Sequence, residues 1–147
     1  MNSLTKGILL EDNQELLTWG DSLNDIKRRL TGRKLDKGDR IVYDWGEHEI
    51  LNGLNVRLST TRWKTLTNLF TNKFNEINSW TIGDNEAQTE YSRISKHLTE
   101  NLGEPTEKDE SSMSEKYMRW KFDSVSINLY FFEQHCFKLV LTIKKEK

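Results

Sequence analysis

The clearest periodic pattern in the chain lies between residues 80 and 105. Its apolar residues recur at steps of four, three, four and four, so they lie on one face of a helix. These residues are Ala87, Tyr91, Ile94, Leu98 and Leu102. Asp84 is a predicted N-cap, because its carboxylate can accept hydrogen bonds from the free N–H groups of the first turn. Gly103 can adopt the left-handed conformation that ends a helix, and Pro105 prevents the helix from resuming. The pattern therefore predicts a long amphipathic helix.

A shorter helix is predicted after Ser22. Three apolar residues share one helical face, and they are Leu23, Ile26 and Leu30. Ser22 and Asp25 form a variant of the capping box in which Asp replaces Glu. Gly32 is predicted to stop this helix.

The rest of the apolar pattern is typical of antiparallel strands. Apolar runs or alternating positions predict strands over 7–10, 40–45, 54–58, 118–122, 125–131 and 137–143. Asn52-Gly53 predicts a tight hairpin, because both residues tolerate positive φ angles. These segments indicate a sheet with one face buried and one face exposed.

Four other segments have weaker patterns. We predict a polar loop over 33–39, a flexible loop over 106–116 and a charged tail over 144–147. The segment 60–77 is ambiguous, because its large apolar residues have helical spacing while its five threonines disfavour a helix. We favour a strand over 63–70.

Together these elements predict an α+β fold, in which two helices pack on a mainly antiparallel sheet within one globular domain, 1–147. The two halves also share an order of parts: a capped helix, a polar loop, a Tyr and Trp pair, and an alternating strand. This layout suggests two helix-then-hairpin repeats over 7–78 and 79–143, although the matching residues differ in identity.

Composition adds constraints on location and partners. The chain is 35% hydrophobic, 31% charged and 10% aromatic, which is typical of a folded, polar domain. Its net charge of -1 attracts neither nucleic acid nor an anionic membrane, so neither is the expected partner. The N-terminal apolar run is too short for a signal peptide and no segment reaches transmembrane length, so we expect a cytoplasmic protein. Cys136 is alone, which excludes an internal disulfide.

Candidate chemistry is sparse. The acidic and histidine-containing segment 44–49 could bind a metal ion or transfer protons, but its spacing matches no zinc motif, and a charged turn between strands is the simpler interpretation. His135 and Cys136 are neighbours in sequence, and adjacent side chains in a strand point apart. His97, on the long helix, is expected to be exposed. No sequence motif of a known catalytic class is present. We therefore predict no catalytic residue, metal or cofactor.

The strongest local charge asymmetry lies in 27–40, which carries seven basic residues against two acidic ones. Helix ends often carry such residues without a function, but the run could contact phosphates or an acidic protein surface. Tryptophan, tyrosine and arginine are also enriched at binding hot spots. The predicted binding surface consists of Arg28, Arg29, Arg33, Lys34, Arg40, Trp45, Glu47, His48, Arg62 and Trp63.

Three functional hypotheses follow. The first is a non-enzymatic cytosolic module that binds another protein, for example an immunity protein that neutralises a toxin; this is an analogy of size and charge. The second is a small-ligand or enzyme-like domain with a pocket between helices and sheet, in which Glu47, His48 or His135 converge. The third is phosphate or nucleic-acid binding through 27–40.

Overall fold

The computed structural model describes residues 2–64 and 72–146, and the side chains from residue 4 onward. About 52% of the chain is strand and about 21% is helix, and the strands pair antiparallel. The α+β class and the mainly antiparallel pairing are therefore confirmed, with a larger share of sheet than of helix. No helix in the described ranges is long and apolar enough to cross a membrane.

The chain divides into two compact units, Met1–Asn78 and Ser79–Lys147. The boundary falls where the two predicted pseudo-repeats, 7–78 and 79–143, meet. Each unit contains, in order, one α-helix, a short strand and long antiparallel strands. The single domain and the internal duplication both stay predictions.

The first unit begins with a 3₁₀-helix and a β-hairpin. Its elements are the 3₁₀-helix Asn2–Thr5, β1 Gly7–Leu10, β2 Glu15–Thr18, α1 Leu23–Leu30, β3 Arg33–Asp36, β4 Arg40–Ile50, β5 Leu54–Trp63 and the start of β6 Glu76–Ile82. Strand β1 pairs with β2, and β4 lies between β3 and β5. The hairpin predicted at Asn52-Gly53 is confirmed, as are the first strand and the strands that flank this turn.

The core of the first unit is built from α1 and from strands β1, β2, β4 and β5. Leu23 and Ile26 are buried on α1, which packs against β4. The Trp45 indole N–H donates to Thr60 Oγ1 at 2.9 Å, and Thr60 Oγ1 donates to the Glu76 carbonyl at 2.8 Å. This chain of bonds satisfies the polar atoms of a buried tryptophan.

Several local predictions in the first unit are wrong. The Ser22 side chain makes no capping hydrogen bond, and α1 ends at Thr31, whose φ of 50° is left-handed. The predicted loop 33–39 contains β3, because its backbone pairs with β4. The predicted turn 44–49 lies inside β4, where a bulge between Asp44 and Gly46 shifts the register while pairing with β5 continues.

The second unit places one long helix on one face of its strands. It contains the end of β6, α2 Asp84–Leu102, β7 Glu107–Asp109, β8 Glu115–Phe122, β9 Val125–Gln134 and β10 Cys136–Lys145, with strand order β10-β9-β8-β7. Helix α2 packs on β9 and β10. Its buried residues are Ala87, Tyr91, Ile94 and Leu98, as the periodicity predicts, whereas Leu102, the last residue of the predicted stripe, is half-buried.

Three boundaries in the second unit differ from expectation. The segment 106–116 contains β7 and the start of β8, while its predicted flexibility stays a prediction. Strand β10 extends to Lys145, so half of the predicted charged tail is paired with β9. The N-cap is Gly83, and Asp84 Oδ1 instead accepts the backbone N–H of Phe137 at 2.9 Å.

The predicted helix end at Gly103 is confirmed. Gly103 has a φ of 88°, and its N–H donates to the Thr99 carbonyl. The buried Trp120 holds this end in place, because its indole N–H donates to the Gly103 carbonyl at 2.8 Å.

The ambiguous segment 60–77 is only partly described. Strand β5 includes residues 60–63 and β6 starts at Glu76. Residues 65–71, which hold most of the strand predicted over 63–70, lie outside the described residues.

Candidate functional site

The basic residues predicted to form a binding surface belong to the first unit, and three of them, Arg28, Arg29 and Arg40, are paired with carboxylates. Arg28 forms an ion pair with Asp25 on α1. Arg29 lies 3.1 Å from both Glu15 and Asp21. These pairs leave less free positive charge at the end of α1 than the sequence suggests.

The basic residues on β3 lie beside β4. Arg33 is exposed and in register with Asp44, and Lys34 Nζ lies 5.9 Å from the centroid of the Tyr43 ring. Asp44 also accepts a 2.6 Å ion pair from Arg57. Burial raises the pKa of Asp44, but the bonds from Arg57 and from the backbone outweigh it, and the pKa lies below its ordinary value.

Arg40, Arg62 and Trp63 lie close together at one end of β4 and β5. Trp63 is 49% exposed, and the Arg40 guanidinium lies 5.3 Å from its ring centroid while it also pairs with Asp39. Arg62 is half-buried and donates to Asn72 at 3.3 Å. This end of the predicted surface has an accessible aromatic ring.

Trp45 and Glu47 are separated by the bulge in β4. Trp45 is only 3% exposed, so its indole cannot contact a partner, and its place in the predicted surface is wrong. Glu47 is exposed and lies opposite Arg57 on β5. Residues two apart on a regular strand share a face, so the bulge between Asp44 and Gly46 is what places these two side chains on different faces.

His48 is held by the fold at both ring nitrogens. Its Nδ1 lies 3.1 Å from Asp12 Oδ2, and its Nε2 lies 2.8 Å from the Trp45 carbonyl. Burial raises the pKa of Asp12. The Glu49 N–H and the His48 ring together lower it by more than burial raises it, so the pKa of Asp12 lies below its ordinary value. The imidazole therefore ties the β1–β2 turn to β4 instead of facing an open cleft.

Glu11 makes a second connection between the same two hairpins. Its carboxylate accepts the backbone N–H groups of Asn52 at 2.7 Å and Gly53 at 2.8 Å. The acidic residues of the first turn thus complete the hydrogen bonds of the second turn. This role has no local signal in the sequence, because the two turns lie about forty residues apart along the chain.

The remaining chemical candidates do not converge. Within the described ranges, no three His, Cys, Asp or Glu side chains lie close enough together to hold a metal ion. In the second unit, His135 is an exposed turn residue with a φ of 70°, and Cys136 is half-buried at the start of β10. His97, expected to be exposed, is half-buried on α2.

The second unit carries an aromatic surface that sequence reasoning did not select. We define the outer aromatic face as the residues that point away from α2 on the sheet: Trp80, Tyr117, Tyr130, Phe132 and Val140. Tyr130 is in register with Tyr117 on one side and Val140 on the other. The Tyr130 and Phe132 rings stack at 4.8 Å, and Trp80 meets Phe132 edge-on at 6.3 Å.

This face remains accessible in the described part of the second unit. Trp80 is 49% exposed, and the other four side chains are half-buried. The buried alternate positions of β9, which include Ile127, Leu129 and Phe131, belong to the opposite face that α2 covers. The sheet therefore has one covered apolar face and one open aromatic face.

A signal for this surface was present in the sequence. The alternation along 125–131 was interpreted as an apolar face and a polar face, with Tyr130 on the polar one. Tyr130 and Phe132 are two steps apart and hence on one face, and both are large aromatics where a solvated strand usually carries polar residues. Trp80 was assigned only to the approach to α2.

Comparisons of the chain with protein-family models, curated proteins and solved structures found no match. The functional interpretation therefore depends on the geometry of the chain itself.

Proposed function

We propose that this chain is a non-enzymatic module that binds another protein through the outer aromatic face. The single observation that carries the proposal is the contact of the 49% exposed Trp80 ring with the half-buried Phe132 and Tyr130 rings, on a sheet whose other face is covered by α2. Exposed apolar patches mark interaction sites, and Trp and Tyr contribute disproportionately to binding energy because they bury a large area at a small loss of entropy.

The two other hypotheses receive less support from the described side chains. A ligand-binding or enzyme-like site needs free polar groups, yet both His48 ring nitrogens face protein acceptors and Glu47 points to solvent. Phosphate binding through 27–40 would compete with the ion pairs of Arg28 and Arg29. Both hypotheses stay predictions.

A toxin-neutralising immunity protein is one specific form of the proposed module. Small size, dense surface charge and an aromatic docking surface are compatible with that role, and its cytoplasmic location stays a prediction. A toxin gene directly beside the gene for this chain would support this form. A chromosomal neighbourhood without any toxin gene would remove the reason to prefer it.

The proposed docking surface is tested by two tryptophans that are equally exposed. Trp80, on the outer aromatic face, and Trp63, in the first unit, are each 49% exposed. The wild-type chain, Trp80→Ala and Trp63→Ala are used as baits in an extract of the native cells, with folding checked by circular dichroism. We expect the wild-type chain and Trp63→Ala to recover the same partner protein in similar amounts. Trp80→Ala should recover at least about tenfold less of it, which is the usual effect of truncating a hot-spot tryptophan.

Each alternative outcome has a definite meaning. Loss of the partner with Trp63→Ala but not with Trp80→Ala would move the docking surface to the residues predicted from sequence. Recovery of no partner by the wild-type bait would contradict the proposed function.

A further inference from the structure

An open groove of about 440 Å³ lies beside the outer aromatic face. It is lined by residues from the start of β8, the end of β9 and the segments next to them: Ser114, Glu115, Tyr130, Phe132, Glu133 and Gln134. The lining therefore contains two carboxylates and no lysine or arginine.

Carboxylates and aromatic rings lie together in this groove. Glu115 is in register with Phe132 and lines the groove together with Tyr130, and burial and the Glu115 carboxylate both raise the pKa of Tyr130. The Tyr130 ring is stacked on Phe132 at 4.8 Å with an interplanar angle of 18°. The groove thus presents negative charge next to the faces or edges of two parallel rings.

Two lysines lie on the strands that flank β9, next to this groove. Lys138 is in register with Phe132 on the same side of the sheet. Lys116, the next residue after Glu115, lies over the Tyr91 and Phe131 rings at 5.7 Å, on the side that α2 covers. Lys138 is therefore the lysine that the strand register places on the groove's side of the sheet.

We propose that this groove receives an arginine side chain of the partner protein. The proposal rests on the proposed function, because the arginine is the part of the partner that fixes its position on the outer aromatic face. A guanidinium is planar, so it can stack on an aromatic ring while it donates two parallel hydrogen bonds to a carboxylate. A lysine ammonium could form an ion pair with a carboxylate, but it is not planar and could not stack on an aromatic ring.

The experiment uses the full chain labelled with ¹⁵N and four short probes. The probes are acetyl-Gly-X-Gly-amide peptides in which X is arginine, lysine, citrulline or glutamate. We expect the arginine probe to shift the amide signals of residues 115, 130, 132 and 134. Citrulline, which has the same shape without the charge, and glutamate are expected to cause at most one fifth of that shift at equal concentration.

Charge variants provide the second part of the experiment. Glu115→Gln and Glu133→Gln should each weaken the arginine probe about 2- to 5-fold, as expected for a solvent-exposed ion pair, and Glu104→Gln, an exposed control outside the groove, should leave it unchanged. If Glu115→Gln also disturbs the Tyr130 side chain, Glu133→Gln still tests the contribution of the groove's negative charge.

Three results would overturn the proposal: equal binding of citrulline, equal binding of lysine, or unchanged affinity in both groove variants. These results differ from a failure of the proposed function. If a partner is lost with Trp80→Ala but the groove does not bind the arginine probe, only the arginine site is contradicted. If the wild-type chain recovers no partner, the proposed function and the arginine site are both contradicted.

Discussion

Replacing Tyr91 by phenylalanine tests whether the segment after β7 is anchored to α2. Tyr91 is 7% exposed, and its hydroxyl donates a 2.5 Å hydrogen bond to Glu110, which also pairs with Lys108 at 3.2 Å. A hydrogen bond to a charged acceptor contributes about 1.5–3 kcal/mol. Because the Glu110 side chain is 34% exposed, water can replace part of this bond, and we expect Tyr91→Phe to lower the free energy of unfolding by about 1–2 kcal/mol at pH 7.

The same contact predicts how the effect of Tyr91→Phe depends on pH. The Tyr91 hydroxyl is the main cause that holds the pKa of Glu110 below its ordinary value of 4.5. A carboxyl group with a lowered pKa in the folded state stabilises the protein above pH 4.5, and this stability is lost as the pH falls through the lowered pKa. The effect of the substitution should therefore be largest at pH 7 and shrink at about pH 3.

Urea unfolding followed by tryptophan fluorescence at the two pH values measures both quantities. Tyr117→Phe is a matched control, because its hydroxyl donates to Glu107, whose side chain is 51% exposed, and should change stability by less than about 0.5 kcal/mol. A double-mutant cycle with Glu110→Gln should give a coupling of about 1 kcal/mol. Equal losses at pH 7 and pH 3, or an equal effect of the control, would refute the reasoning.

Three further predictions concern contacts that hold each unit together. Trp45→Phe removes the buried donor to Thr60 and should destabilise the chain by about 1–3 kcal/mol in urea unfolding. Asp84→Ala removes the acceptor of the Phe137 N–H and an acidic group from the first turn of α2, and should reduce the thermal midpoint through a loss of about 1 kcal/mol. Glu11→Gln weakens the acceptor of two N–H groups in the β4–β5 turn and should speed amide hydrogen exchange there several-fold.

Each of these predictions has a control elsewhere in the same unit. Trp63→Phe changes an exposed tryptophan and should be near neutral in unfolding, so an effect as large as that of Trp45→Phe would contradict the first prediction. Glu86→Ala, also in the first turn of α2, should lower the thermal midpoint less than Asp84→Ala does. Glu47→Gln should leave amide hydrogen exchange in the β4–β5 turn unchanged. If exchange in this turn is equally slow in Glu11→Gln, the Glu11 carboxylate is not needed to protect it.

Tryptophans show the limit of sequence reasoning about the candidate surface. Trp45 and Trp63 were placed together in the predicted surface, yet one is 3% and the other 49% exposed. Their difference arises from the register of β4 and β5: Trp45 shares the buried face of Ile41 and Tyr43, whereas Trp63 is in register with Arg40, on the other face. Local composition does not contain this register.

What the sequence determined by itself was the local periodicity. The apolar stripe of α2, the end of this helix at Gly103 and the alternation along β9 depend on residues within a few positions of one another, so they could be predicted directly. The tertiary structure alone decided which partners the polar groups found: Glu11 bonds a turn about forty residues later, and Asp84 bonds β10 instead of capping its own helix. It also decided that α2 covers one face of its strands, because packing between distant segments, and not their pattern, leaves the outer aromatic face open.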